Sequence, residues 1–275
     1  MKLQVDKMKD LRYTYIMKIG VFDSGLGGLV IAKSLIKALP QYDYVYFGDT
    51  KHLPYGEKTA GHILKYTLQA MRFLIKQDCR LIIIACNSAT AVTLRYLQKR
   101  FCPKYAPDVK ILGVIIPTVE EALKDNTKNI GIVATPTTVH SDIYKVELQK
   151  INPDLNVFSL ATPALVPAIE NGDFALAEKE VARYTEKLKH LPVLILGCTH
   201  YPIIKDLFQK YLPKIKIIAQ TELMGEKLAD YLKRHDEIET QLTRNQTRRF
   251  FVSKKTDGYL NVARLIDADI HLELF

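Results

Sequence analysis

A strand–loop–helix pattern occurs twice in this 275-residue chain, and its spacing constrains the fold more than any other feature. Ile19-Gly-Val-Phe-Asp-Ser-Gly25 reads as a strand running into a polar loop, and Ile130-Gly-Ile-Val-Ala-Thr-Pro136 repeats that form 111 residues later (130 − 19). A later strand ends in Ala85-Cys-Asn-Ser88 and enters a helix. Its counterpart ends in Gly197-Cys-Thr-His200, and Cys198 follows Cys86 by 112 residues (198 − 86). Isolated cysteines falling in one register indicate a duplicated α/β unit.

The intervening sequence agrees. Short apolar runs at Lys18–Asp23, Tyr44–Gly48, Leu81–Ala85, Lys110–Val114, Ile130–Ala134, Asn156–Leu160, Val193–Leu196 and Ile215–Ala219 alternate with helical segments such as Leu29–Ala38, Ile63–Lys76 and Ala89–Arg100. Unbroken apolar strands between amphipathic helices predict parallel sheets covered on both faces. There are too many strands for one small sheet, so two α/β units are expected. Gly113–Pro117 marks a crossover between them.

With 48% hydrophobic residues the chain can bury real cores, yet no apolar run reaches the roughly 18 residues of a membrane span. Residues 1–17 mix charge with apolar side chains and lack a signal-peptide core. They read as an N-terminal extension, and the expected location is cytoplasmic. The four cysteines form no CxxC pair, so neither a zinc site nor a disulfide framework is expected. The net charge of +9 is read as a lysine-rich solvated surface rather than a nucleic-acid or membrane footprint. Even in the densest basic stretch, Arg244–Lys255, Phe250, Phe251 and Val252 look like a buried strand.

Ligands in open α/β sheets sit at the carboxyl ends of strands. Cys86 and Cys198 both lie there, each ahead of a predicted helix. Free N–H groups at a helix N-terminus favour a thiolate, and can lower a cysteine pKa from about 8.5 toward neutrality. One such cysteine is more often core than catalyst. A matched pair, one on each unit, supplies what stereoinversion needs: one group removes an α-proton and the other returns a proton to the opposite face. Cys79 and Cys102 lack that setting and read as structural.

The other polar loops are less specific on their own. Asp23-Ser-Gly-Leu-Gly-Gly28 permits close backbone approach but can equally be a turn capped by Asp or Ser. Thr135-Pro-Thr-Thr138 can hold a carboxylate or an amine, or merely cap a helix. His200 can assist proton transfer, although a lone histidine is more often structural. By its residues alone Glu170 reads as a surface charge at a helix end.

Taken together, Phe22-Asp-Ser-Gly-Leu-Gly-Gly28, Gly48-Asp-Thr50, Pro54-Tyr-Gly56, Cys86-Asn-Ser-Ala89, Leu165-Val-Pro-Ala-Ile-Glu170 and Gly197-Cys-Thr-His-Tyr-Pro202 resemble the glutamate racemases of the cofactor-independent aspartate/glutamate racemase family. The motifs occur in the family's order and span nearly the whole chain from Lys18. The resemblance implies an α/β fold of two pseudo-symmetric three-layer domains with parallel sheets and the active site in the cleft between them. The domains would comprise 18–112 plus 224–275, and 113–223. It implies interconversion of L- and D-glutamate without pyridoxal phosphate or metal, in bacteria supplying D-glutamate for peptidoglycan, and it admits a homodimer.

By the same resemblance Cys86 and Cys198 are the catalytic acid/bases. Asp23 and His200 look like their polarising partners, with Glu170 and Asp49 assisting. Ser24, Pro54, Tyr55, Gly56, Asn87, Ser88, Thr135, Thr138 and Thr199 look like substrate contacts, together with Asp23 and His200. Two stretches depart from the pattern: Ala219-Gln-Thr221, where an Ile-Asp-Ser type strand end is expected, and His140-Ser-Asp-Ile143. Three rival readings stay open on sequence. They are a racemase of another acidic amino acid such as aspartate, a cysteine hydrolase built on Cys198 and His200, and a two-lobed binding protein that would tolerate loss of both cysteines.

Overall fold

The computed structural model describes residues 17–255, 263 and 270–275. Its strands are β1 (Lys18–Asp23), β2 (Tyr44–Gly48), β3 (Cys79–Ile84), β4 (Lys110–Gly113), β5 (Asn129–Ala134), β6 (Asn156–Ala161), β7 (Val193–Gly197), β8 (Lys216–Ile218), β9 (Arg248–Val252) and β10 (Leu272–Leu274). The α-helices are α1 (Gly28–Ala38), α2 (Ala60–Lys76), α3 (Asn87–Tyr96), α4 (Cys102–Tyr105), α5 (Ile115–Leu123), α6 (Pro136–His140), α7 (Ile143–Ile151), α8 (Leu165–Glu170), α9 (Phe174–Thr185), α10 (Lys205–Tyr211), α11 (Met224–Lys233) and α12 (Asp236–Glu239).

The strands form two sheets, in the orders β10-β9-β2-β1-β3-β4 and β6-β5-β7-β8. All pairings between these strands are parallel. The run β2-β1-β3-β4 and the run β6-β5-β7-β8 are the same topology read one unit later, as the repeat predicted. The crossover at Gly113–Pro117 is where the chain leaves β4 of the first sheet for α5 and the second sheet.

Each sheet is the middle of three layers. Successive strand residues point to opposite faces, so Ile19, Val21, Leu81 and Ile83 pack against α1 and α11 on one side of the first sheet. Phe22, Phe47, Ile82 and Ile84 pack against α2 and α3 on the other. In the second sheet Val133, Leu194 and Leu196 meet α8, α9 and α10, while Ile130, Ile132 and Ile195 meet α5 and α7. Burial on both faces is why these strands read as unbroken apolar runs.

Several local differences have simple causes. β3 begins two residues earlier than predicted, because Cys79 pairs with Lys18. The helix predicted over Ala89–Arg100 is α3 continued through a π turn at Leu97–Phe101. The basic stretch forms β9, with Phe251 and Val252 buried. The parallel edge strand β10 was not anticipated, since three residues give no period to read. Most of the predicted N-terminal extension lies outside the described residues. Met17 itself is buried and bridges to Leu242, so it belongs to the packed body.

Candidate active site

The carboxyl ends of the two sheets meet around one small cavity. Ser24, Tyr55, Cys86 and Asn87 line it from the first sheet, and Thr135, Cys198, Thr199 and His200 from the second. Pro54, Gly56 and Ser88 complete the predicted contacts along its wall. Thr138 stands one layer back, where Ser88 Oγ, Thr135 Oγ1 and Thr138 Oγ1 form a hydroxyl triangle of 2.8, 3.3 and 3.1 Å. Leu53 and Val166 also line the cavity. Sequence reading missed both, because an apolar wall residue carries no chemical signature.

Two glycines let the halves close. A Cβ on Gly27 would sit 2.6 Å from His200 Nδ1, and one on Gly56 would sit 2.5 Å from Thr135 Cβ. Close approach between the halves, not a left-handed backbone, is the reason for glycine at these positions. Gly27, the residue before α1, offers no side-chain cap; the loop is held by Asp23, whose Oδ2 accepts from Gly25 N at 2.9 Å and whose Oδ1 accepts from Thr199 Oγ1 at 3.2 Å. Asp23 thus ties the first loop to the second sheet. Burial, opposed by nearby His200, raises its pKa above the usual carboxylate value.

Cys86 caps α3. Its sulfur accepts from Ala89 N at 3.4 Å and donates to Ser24 Oγ at 3.3 Å. The expectation that the helix end would draw its pKa toward neutrality is not met. Burial, reinforced by the negative charge of Asp23, pushes the thiol up to about 12. Loss of water around a thiolate outweighs one long N–H contact and one hydroxyl.

Cys198 sits differently. A turn and a 3-10 segment, Tyr201–Ile204, precede α10, so the predicted helix N-terminus at this cysteine is absent. Its sulfur instead lies 3.7 Å from His200 Nδ1. His200 Nε2 pairs with Glu170 Oε1, which also accepts from Leu26 N at 3.3 Å. Burial alone would neutralise His200, but Glu170 and Cys198 hold its pKa well above that of a free imidazole. Glu170 is therefore buried against His200 and not the surface charge that its residue type predicted. Asp49 is also buried but faces away from the thiols. It accepts from Tyr55 OH at 2.7 Å and from Ser253 Oγ at 2.7 Å, and so holds the tyrosine that lines the cavity.

A larger cavity of about 550 Å3 opens beside Lys65, Arg72 and Lys76, but no thiol lines it. The site cavity holds about 20 Å3. That is little more than the ~10–15 Å3 needed for one water. An amino-acid ligand enters only if the two halves part.

Residues 31–226 match the model of the Asp/Glu/Hydantoin racemase family. The chain belongs to that family. It is an amino-acid racemase, an isomerase. A glutamate racemase of Dinoroseobacter shibae is 39% identical over 238 residues, covering 81% of this chain and 86% of that protein. Among solved structures, a glutamate racemase isoform from Bacillus anthracis superposes with a TM-score of 0.85 at 30% identity, covering 95% of this chain and 98% of the other. The glutamate racemase of Francisella tularensis in complex with D-glutamate gives 0.83 at 35% identity, covering 94% and 97%.

Proposed function

We propose that this racemase interconverts L- and D-glutamate by a two-base mechanism through Cys86 and Cys198, without a cofactor. The observation that carries this reading is that the two cysteines of the repeat line one cavity from opposite sheets. For the L-to-D direction this mechanism uses Cys198 as the base, beside the His200 cation, and Cys86 as the acid. Substrate enters when the halves separate, and its carboxylate is received by Asn87 and the hydroxyls of Ser88, Thr135 and Thr138. Closure removes water from the reacting carbon.

From L-glutamate, the Cys198 thiolate takes the α-proton and the electron pair stays on the substrate as a carbanion stabilised by its carboxylate. The Cys86 thiol then gives its proton to the opposite face. D-Glutamate leaves, and the thiol and thiolate have exchanged places. Turnover of D-glutamate, or proton exchange with solvent, restores them.

We assign residues 18–112 plus 224–275 to one domain and 113–223 to the other. The four cysteines are all buried and free. No helix among the described residues is long and apolar enough to cross a membrane. We place the protein in a reducing cytoplasm, which suits its buried free thiols, and there the product would feed peptidoglycan synthesis.

The test is circular dichroism of protein with L-glutamate in D2O, with no cofactor added, followed by NMR for α-deuterium, and L-aspartate run in parallel. Loss of optical signal with deuterium uptake on glutamate supports the proposal. Turnover of aspartate alone would move the substrate assignment. No reaction with either, from folded reduced protein, would overturn it.

A further inference from the structure

Gln220, in the stretch where the chain departs from the family pattern, is fully buried. It opens the short turn Gln220–Glu222 that returns the chain from β8 to α11 on the first sheet. Its side chain meets Asn87, the first residue of α3 and the neighbour of Cys86. Asn87 Nδ2 donates to Gln220 Oε1 at 3.0 Å, and Gln220 Nε2 donates to Asn87 Oδ1 at 2.8 Å. Tyr144 of α7 closes a triangle. Its hydroxyl donates to the same Asn87 Oδ1 at 2.8 Å and accepts from Gln220 Nε2 at 3.1 Å.

We propose that Gln220 is a positioning residue that fixes which end of the Asn87 amide faces the cavity, making Asn87 a hydrogen-bond donor to the substrate carboxylate. The inference rests on the racemase reading above. A side-chain carbonyl oxygen accepts two hydrogen bonds and an amide nitrogen offers two. Asn87 Oδ1 already takes two, from Gln220 and Tyr144. Asn87 Nδ2 gives one to Gln220 and keeps one N–H.

Asn87 lines the cavity, so what it has left to offer there is a donor. Turning this amide alone would set oxygen against oxygen and nitrogen against nitrogen. Both amides are buried, where an unpaired polar group has no water to bond instead. The reciprocal pair therefore resists a turn that would point oxygen at an anionic substrate. Tyr144 extends the pair by joining α3 of the first half to α7 of the second, so the orientation is set as the cleft closes.

The experiment compares wild type, Gln220→Leu and Gln220→Glu by steady-state kinetics with both enantiomers, and by thermal midpoint. The leucine leaves Asn87 free to turn. The glutamate carboxylate only accepts, so it removes the donor to Asn87 Oδ1 and sets an oxygen against it, and the wild-type orientation loses its preference. Both variants are expected to raise KM about tenfold with kcat within about threefold, the signature of lost ground-state binding.

Calorimetric affinity for D-glutamate then completes a cycle with Asn87→Ala. In that background Gln220→Leu should add less than about twofold, because the two residues act as one unit. A lowered midpoint with unchanged KM would overturn the proposal, as would factors that multiply independently. If Gln220→Leu does not fold, Tyr144→Phe removes one donor to the same oxygen. It should raise KM about threefold, and an unchanged KM there overturns the proposal. An inactive wild type would instead overturn the glutamate reading itself, and the inference with it.

Discussion

The two halves share a strand order but not a way of handling sulfur. Cys86 caps a true α-helix and touches a hydroxyl and a backbone N–H. Cys198 has no α-helix at its back and faces an imidazole tied to a buried carboxylate. One wall has no cation at its sulfur and holds its thiol protonated, pushed up to about 12 by burial and the charge of Asp23. The other holds a cation, because Glu170 keeps His200 charged despite burial. Duplication supplied the placement of two sulfurs, and local side chains then made the two walls unlike. A pair of acid/bases benefits from that difference, since one member must be a thiol when the other is a thiolate.

The sharpest way to break this comparison is to remove each sulfur. Cys86→Ala and Cys198→Ala should each abolish racemization, with a loss of about 10³-fold or more by circular dichroism, near the upper range for acid/base groups. The single variants should still differ on a substrate analogue that eliminates a leaving group after α-proton loss. Cys198→Ala, which keeps Cys86, should act on the D-analogue, and Cys86→Ala on the L-analogue. Equal elimination from both enantiomers by either variant would mean that the walls do not serve separate faces.

Glu170→Gln sharpens the same comparison with a smaller effect. Without the carboxylate, burial dominates His200 and its pKa falls, so the cation beside Cys198 is lost near neutral pH. Racemization at pH 7 should drop about 10- to 100-fold. The elimination assay should place that loss on the L-analogue. A drop shared equally by the D-analogue would show that Glu170 acts on both walls.

How much of this was readable in the sequence depended on the kind of signal. The repeat and the apolar strands were plain, because burial on both faces leaves no polar residue in β1, β3, β5 or β7 to blur the run apart from their terminal residues and the half-buried Arg80. The cysteine positions followed from the same register. What sequence could not show was which side chains reach across. Glu170 looks like a helix-end charge until α8 is placed against His200. Gln220 is noticeable only as a departure, and its partner Asn87 lies 133 positions away. The opposite behaviour of the two sulfurs was also hidden, since Cys198 is followed by a 3-10 turn rather than the predicted α-helix, and desolvation cannot be counted before the halves are assembled.

The ionic wall should also show itself in stability. His200 has a raised pKa in the folded protein, compared with about 6.5 unfolded. Its stabilising contribution is therefore complete below about pH 6.5 and declines as pH rises toward the folded value. The slope is at most about 1.4 kcal/mol per pH unit for one proton. Urea unfolding of the wild type between pH 6.5 and 8.5 should show this decline, and Glu170→Gln should flatten it. An equal slope in both proteins would place the charge on other groups and remove the ionic character assigned to the Cys198 wall.

The smallest effect is expected at the two cysteines outside the repeat, and it separates burial from chemistry. Burial pushes the Cys79 thiol up to about 12, as it does at Cys86, and raises Cys102 as well. A raised pKa therefore does not set Cys86 apart from Cys79, but position does. Cys79 begins β3, at the end of the strand away from the cavity, and Cys102 begins α4. Replacing both with alanine should cost about 1 kcal/mol of stability per site, the low end of core truncation, and leave racemization within about twofold. That variant retains only the two proposed catalytic thiols, so thiol titration beside the activity assay would report on them alone. A loss above tenfold in the folded variant would show that the chemistry is not confined to the duplicated strand ends.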